Sequence, residues 1–240
     1  MEERRWALVT GAGRGLGREV CRQLAIAGYA VVVGTRDPAA GPGLIEELDG
    51  DGHVATRLDV TDATSIAGAV DAVGARAGRL DVLVNNAAAY VDWSETASTA
   101  DLEVSRRVLE TNLFGPWRMI QEFLPLLRRS PHPRIVNVAS GAGSHQDAAF
   151  GLSTPGGTAA SYGVSKAALI ALTSKLAAEL AGEPVIVNAV CPGLTATWPG
   201  ADQMGARPVS ESAAGVVWAA TLPDDGPRGG LFRDGELLPW

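Results

Sequence analysis

Seven short apolar runs alternate with longer stretches of helical period along this chain, and no other feature restricts its fold as tightly. The runs are ALVT (7–10), AVVVG (30–34), VATRL (54–58), DVLVN (81–85), RIVNV (134–138), VIVNAV (185–190) and GLF (230–232). Between them the segments 15–28, 38–49, 62–77, 99–129, 159–182 and 209–221 place Leu, Ile, Val and Ala at three- and four-residue spacing, as helices packed on a sheet do. Strands that are apolar on both sides need cover on both faces, and the crossover helices of a parallel sheet supply it. The expectation is a doubly wound α/β sandwich with a seven-stranded parallel sheet. No linker and no repeat divides the chain, so residues 1–240 read as one domain, with the Gly- and Pro-rich stretches 141–157 and 192–208 as loops.

Composition narrows the function classes. Although 46% of the residues are apolar and the mean hydropathy is +0.10, uninterrupted apolar runs stop at about seven residues, well short of the roughly 18 that cross a bilayer. The charged MEERRW start leads into ALV rather than into the apolar core of a signal peptide, which predicts a cytoplasmic protein without membrane contact. A net charge of −7 from 20 basic and 27 acidic residues, with no basic stripe, argues against the phosphate-backbone footprint that nucleic acids require. Cys21 and Cys191 are too few and too scattered for a disulfide framework or a zinc site, so both are expected to be buried, reduced and structural, and no metal is expected.

The first strand runs straight into Thr10-Gly11-Ala12-Gly13-Arg14-Gly15-Leu16-Gly17 and then a helix. With 29 glycines in the chain, spacing alone would mean little; placement after strand one gives it weight. Glycines permit a tight turn and close backbone approach, and the helix N-terminus offers unpaired N–H groups to a pyrophosphate. Further along come Asn85-Asn86-Ala87, Asn112, Ser140, Tyr162-x-x-x-Lys166 and Pro192-Gly193. In order and spacing these landmarks closely resemble the short-chain dehydrogenase/reductase family, over essentially the whole chain from residue 6 onward. The resemblance implies a Rossmann-type fold. It also implies dinucleotide contacts from Gly11, Gly13, Arg14, Gly15, Leu16, Gly17, Thr35, Arg36, Asp59, Val60, Asn86, Ala87, Pro192, Gly193, Thr195 and Thr197, together with Tyr162 and Lys166.

The Tyr162–Lys166 pair carries weight of its own, because three tyrosines and two lysines in the chain would give about 0.03 such pairs by chance. Four residues apart on a helix, both side chains project from one face. A phenol with an ordinary pKa near 10 is a poor acid or base at neutral pH, and a nearby ammonium is expected to lower that value. By resemblance, Tyr162 protonates the carbonyl oxygen as the nicotinamide delivers hydride to carbon, and Lys166 also holds the nicotinamide ribose. Ser140 then bonds the substrate oxygen, and Asn112 holds the water that relays protons to Lys166. Read without the resemblance, Ser140 could equally end a strand and Asn112 bond its own backbone.

Cofactor choice falls on GTRD (34–37), where NAD enzymes of the family carry an acid for the adenosine ribose. The matching position is Thr35, followed by Arg36; a neutral residue beside a guanidinium suits the 2′-phosphate of NADP, and Arg14 fills the family's second basic position. The competing reading takes Asp37 as the ribose acid of an NAD enzyme. Asp59 matches the aspartate beside the adenine, with Val60 as a backbone contact, although Asp59 could equally cap the following helix.

Three positions depart from the family pattern. Ala88 stands where glycine is usual, which adds a methyl near the cofactor. The 22 residues from Ser140 to Tyr162, against about 13 in the family, imply an inserted loop at the site mouth, in which His145 reads as a solvated side chain. Only about 14 residues separate Pro192-Gly193 from the last helix, a short lid that implies an open pocket. With GTRD and the GGLFRDGELLPW tail, this looks most like the carbonyl reductase branch, which reduces ketones, aldehydes and quinones with NADPH. The alternatives are an alcohol dehydrogenase, a β-ketoacyl reductase or a non-catalytic dinucleotide sensor. Tyr90, Trp93 and Trp198 fall in loops that should border the nicotinamide, which favours bulky or aromatic carbonyl substrates unless these rings merely cap core. Relatives commonly pair the helices matching 99–129 and 159–182 as homodimers or homotetramers, whereas carbonyl reductases with a much longer insertion after the serine tend to be monomers; the insertion here is intermediate, so both states stay open.

Overall fold

The apolar runs fold because their side chains alternate between two cores. In the computed structural model, which describes residues 4–240, the elements in chain order are β1 (Trp6–Val9), α1 (Gly15–Ile26), β2 (Ala30–Thr35), α2 (Gly41–Glu46), β3 (Val54–Arg57), α3 (Ala63–Ala77), β4 (Val82–Asn85), α4 (Leu102–Leu109), α5 (Gly115–Leu127), β5 (Arg134–Val138), α6 (Ala160–Glu179), β6 (Ile186–Val190), α7 (Val209–Ala220), β7 (Leu231–Arg233) and β8 (Glu236–Leu237). Trp6, Leu8, Ala30, Val32 and Leu83 face one way, against Ile66 and Val73 of α3, Met119 and Phe123 of α5, and Leu169 and Leu176 of α6. Ala7, Val9, Val31, Val33, Val82 and Val84 face the other, against Val20 and Leu24 of α1, Leu44 of α2 and Val216 of α7. A period of two on each strand, with both faces covered, is what a parallel sheet with crossovers on both sides requires.

The strand order is β3-β2-β1-β4-β5-β6-β7-β8. β1 to β7 are parallel. The order reverses between β1 and β4, where the chain winds outward in both directions, and a crevice opens there at the carboxyl ends. Among the described residues no helix is long and apolar enough to cross a membrane.

Two expectations need correction. Among the described residues the sheet has eight strands rather than seven, because β8 returns antiparallel on β7 with Phe232 opposite Leu237 and Arg233 opposite Glu236. Asp234 and Gly235 make the turn with φ of +54° and +82°, and two consecutive positive φ values are what a tight hairpin of this hand needs. The stretch 99–129 is also not one helix. α4 ends at Leu109, a wide π-helical turn spans Glu110–Phe114, and α5 starts at Gly115 with Pro116 in its first turn. Proline has no N–H to extend the ladder, so a helix restarts there at little cost.

Phe123 is fully buried in the first core. Phe123→Ala should therefore cost about 3–5 kcal/mol of unfolding free energy, read as a lower urea midpoint with an unchanged slope.

Candidate active site

At the end of β1 the backbone turns under geometric constraint. Gly11 and Gly15 have φ of +63° and +55°, a region that L side chains rarely enter. Thr10 organises the junction: its hydroxyl accepts from the N–H groups of Asn86 (2.9 Å) and Ala87 (3.0 Å) at the end of β4. Asn86 returns its amide to the carbonyls of Thr10 (2.8 Å) and Gly11 (3.3 Å). α1 then starts after Arg14 with no side-chain cap and no acidic residue in its first turn. The donor set of glycine backbone and uncapped helix N–H groups, with no acidic residue in the first turn of α1, fits a dinucleotide pyrophosphate. Leu16 packs against the second core, which aims that helix end at the crevice.

Beyond Ala87, the expected glycine position is harmless to fill. Among the described residues only Ala159 and Asp234 are non-glycine with positive φ, so Ala88 needs no glycine conformation. The next residue is gripped by Asn112, which is fully buried in the π-helical turn. Its carbonyl oxygen accepts from Ala89 N–H (2.8 Å), and its amide donates to Ala89 O (2.9 Å) and Ser165 Oγ (3.0 Å). The side chain thus ties the β4 loop to α6.

Ser140, two residues past β5, caps a short 3₁₀ turn, its hydroxyl accepting from Ala142 N–H at 3.2 Å. Tyr162 and Lys166, both buried, rise from the first turns of α6 beside it. The Ser140 side chain stands close enough to the Tyr162 phenol to favour its ionised form. Lys166 donates to Val138 O at 2.8 Å, and its ammonium lies over the Tyr162 ring, 5.5 Å from the centroid.

The electrostatics correct one expectation. Burial pushes the Tyr162 phenol above its ordinary value, Tyr90 adds to the rise, and the nearby Ser140 side chain only partly opposes it. Lys166 faces the ring rather than the oxygen, and burial lowers its own pKa to about 8. Desolvation outweighs the neighbouring ammonium here.

Thr35 is buried and its hydroxyl accepts from Asp37 N–H at 3.2 Å, while Asp37 turns its carboxylate onto Ala39 N–H at 3.0 Å as a cap. Arg14 and Arg36 are exposed. Asp59 is partly desolvated, but Thr61 bonds its carboxylate through N–H (3.0 Å) and hydroxyl (2.7 Å), and with the charges of Arg36 and Arg57 these hold its carboxyl below the ordinary range. Val60 is buried, its methyl within 2.8 Å of where a Cβ on Gly115 would stand, so that glycine admits α5 against it. After β6, Gly193 has φ of +72°. Thr195 Oγ donates to Gly193 O (3.1 Å) and Ser212 Oγ (2.9 Å). Thr197 reaches across to the glycine loop, its methyl 3.2 Å from a Cβ placed on Gly15.

The expected site residues therefore follow the carboxyl ends of β1 to β6, Thr35 and Arg36 after β2 and Asp59 and Val60 after β3 included, with Asn112 in the π-helical turn and Tyr162 and Lys166 on α6. Others had no local signal. Arg207 bonds Pro192 O (2.9 Å) and Asp234 (2.9 Å), which closes the loop after β6. Glu95 holds the start of α6. Asp147 pairs with Arg233 at 2.5 Å. Of the loop aromatics, Tyr90 stacks on the Tyr162 ring at 5.2 Å between centroids and Trp93 meets it edge-on at 6.0 Å. Trp198 is 40% exposed. His145 is exposed, and both cysteines are buried and unbridged.

Against known proteins, the short chain dehydrogenase family model matches residues 5–204. The chain belongs to the short-chain dehydrogenase family. The family is one of oxidoreductases that use a nicotinamide dinucleotide. Short-chain dehydrogenase/reductase 1 of Saponaria officinalis is 32% identical over 297 aligned positions that cover 100% of this chain and 97% of its own; the relative carries segments that these 240 residues lack. (+)-Neomenthol dehydrogenase of Capsicum annuum is 32% identical, covering 97% of this chain and 96% of its own. The crystal structure of NADPH-bound carbonyl reductase from chicken fatty liver superposes with a TM-score of 0.83 at 27% identity, covering 99% of this short-chain dehydrogenase and 100% of that chain.

A Cβ on Gly17 would stand 2.5 Å from Asn86 Nδ2 and 2.6 Å from Gly11 O. Gly17→Ala should therefore lower stability by about 1–3 kcal/mol, although alanine in an open helix would gain about 1 kcal/mol. It should also weaken binding of the nicotinamide dinucleotide, with both effects read by thermal unfolding and fluorescence titration.

Proposed function

We propose that this short-chain dehydrogenase reduces ketone, aldehyde or quinone carbonyls with NADPH, Tyr162 being the proton donor. The observation that carries the reading is the meeting of the Ser140 and Tyr162 hydroxyls at the carboxyl end of β5, with the Lys166 ammonium over the phenol ring. Two hydroxyls at one point hold a carbonyl oxygen, and a phenol that burial keeps protonated is a donor rather than a base. Bound in the crevice, a nicotinamide dinucleotide supplies the hydride. As the proton leaves Tyr162, Lys166 offsets the phenolate charge from the ring face. Gly11 to Gly17 and the start of α1 would hold the pyrophosphate, and Lys166, Asn86, Ala87 and Pro192 to Thr197 the nicotinamide half. Asn112, whose side chain is committed to Ala89 and Ser165, would serve the proton relay through the turn it stabilises.

NADP over NAD is supported by the 34–37 turn. Asp37 spends its carboxylate on Ala39, Thr35 is neutral, and Arg36 stands free to solvent with Arg14 in the neighbouring loop. The relative solved with NADPH is a carbonyl reductase, which favours the same cofactor and reaction class. Tyr90 and Trp93, packed on Tyr162, would give the pocket an aromatic wall suited to bulky or aromatic carbonyls.

Purified protein with NADPH and a panel of ketones, aldehydes and quinones tests the reading. Tyr162→Phe should abolish turnover with NADPH affinity nearly intact, and undiminished activity in that variant would overturn the mechanism. Arg36→Ala should lose about 10- to 150-fold in the NADPH-over-NADH preference of kcat/KM, the worth of one charge-assisted contact of about 1.5–3 kcal/mol. Equal wild-type kcat/KM for both cofactors would reject the phosphate site. Trp93→Ala should lower kcat/KM for an aryl ketone and leave pyruvate little changed; a preference for pyruvate in the wild type would reject the aromatic wall.

A further inference from the structure

α6 has to begin at one place if Tyr162, in its first turn, is to meet Ser140, yet its own sequence supplies no cap. Ala159 precedes it with φ of +50° and no side-chain cap. A helix start leaves its first N–H groups without intrahelical partners. Two of them are met by one residue from a different part of the chain. The Glu95 main-chain carbonyl accepts from Ala160 N–H (3.4 Å) and its carboxylate from Ser161 N–H (2.8 Å). The second carboxylate oxygen accepts from the Ser161 hydroxyl at 2.9 Å, and Ser105 of α4 lies against the same hydroxyl at 2.6 Å. Ser161 is buried, and a carboxylate at the N-terminus of a 20-residue helix also gains from its dipole.

The loop that supplies Glu95 is itself constrained. Asp92 accepts from Ser94 through N–H (2.8 Å) and hydroxyl (2.6 Å), and Glu95 N–H closes the turn on Asp92 O at 3.0 Å. Within that turn Trp93 meets the Tyr162 ring edge-on, and one residue past Glu95, Thr96 bridges Thr158. The pocket wall and the helix that carries the proton donor are therefore joined through one carboxylate.

We infer that Glu95 is a positioning residue: by capping α6 from the β4 loop, it fixes the height of Tyr162 against Ser140 and couples that height to the seating of Trp93. The inference rests on the reading of Tyr162 as proton donor. Glu95 is not needed to bind the pyrophosphate half of the cofactor, for which the donors lie at the end of β1 and the start of α1. A displaced Tyr162 should thus slow proton transfer while substrate and cofactor still bind.

The test compares wild type, Glu95→Gln, Ser161→Ala and Tyr162→Phe in kcat, KM for a ketone that the wild type reduces, NADPH Kd by fluorescence, and amide hydrogen exchange over the start of α6. Glu95→Gln should lower kcat by about 10- to 100-fold, as misplacement of a reacting group by a fraction of an ångström does. KM and Kd should stay within about twofold, and exchange should rise at residues 160–163 rather than across the chain. Ser161→Ala, which keeps the backbone bond, should show the same kcat-selective loss at about 3- to 10-fold, and it decides the matter should Glu95→Gln not fold. An unchanged kcat, or a fall of kcat, KM performance and cofactor affinity together with protection lost throughout, overturns the inference. A dead Tyr162→Phe beside an unchanged Glu95→Gln overturns this inference alone, whereas a fully active Tyr162→Phe overturns the proton-donor reading and this inference with it.

Discussion

Everything in the site hangs from the reversal of strand order between β1 and β4. Elsewhere in a doubly wound sheet each strand end is followed by a connection that crosses over its neighbour; at the reversal the two connections leave in opposite directions and the strand ends stay open. The open edge would expose carbonyl and N–H groups without partners, so the chain has to satisfy them locally. Four hydrogen bonds across the crevice do so: the Thr10 hydroxyl accepts from Asn86 and Ala87 N–H, and the Asn86 amide donates to the Thr10 and Gly11 carbonyls. The glycines follow from that closeness: a Cβ on Gly11 would come within 2.9 Å of Ala87 Cα. What looks like a phosphate-binding sequence is thus first a solution to closing the ends of two paired strands whose connections diverge, and the uncapped start of α1 is what it leaves available.

How much of this could be read from the chain depends on how local each cause is. The strands and helices were legible because each carries its own periodicity, and the glycine loop because its causes lie within eight residues and one neighbouring strand. β8 escaped because two residues are too short for any period, although Asp234-Gly235 is a hairpin signal in its own right. The break at 110–114 escaped because the apolar spacing runs through it; only Gly115-Pro116 marks the restart, and only the buried Asn112 shows what the wider turn is for. Glu95 escaped for a different reason. Its partner lies 66 positions away, and nothing in DWSET distinguishes a helix cap from a solvated acid.

The Tyr162–Lys166 pair shows the limit of arguing electrostatics from spacing. Four residues on a helix do bring the groups together, but the sign of the shift depends on where the ammonium points and how dry the site is. Nζ is turned to Val138 O, the phenol oxygen to Ser140, and desolvation then dominates both titrations, raising the phenol and lowering the ammonium. In the proposed reaction, a pair arranged this way would hold its attraction for the moment when charge appears on the tyrosine oxygen, which is when a fixed dipole or cation is worth most.

The longer connection from Ser140 to Tyr162 completes this logic, because an insertion beside a dry site could easily have admitted water. It is instead fastened to the end of the chain. Ser144 donates to Pro239 O at 2.7 Å, and Asp147, buried, accepts from Ala149 and Phe150 N–H at 3.0 Å each and from Arg233 at 2.5 Å. Arg233 also reaches Cys191 Sγ at 3.2 Å, which accepts from Gly141 N–H at 3.1 Å, so the ends of β5, β6 and β7 meet at one sulfur. Such a buried ion pair adds little net stability once desolvation is counted. Its effect is on geometry: it holds the residue after Ser140 from three directions, leaving the hydroxyl itself free to face Tyr162. The β8 hairpin, the feature least visible in the chain, carries the turn that places Arg233, and so reaches the site through two contacts rather than through any residue that could touch a substrate.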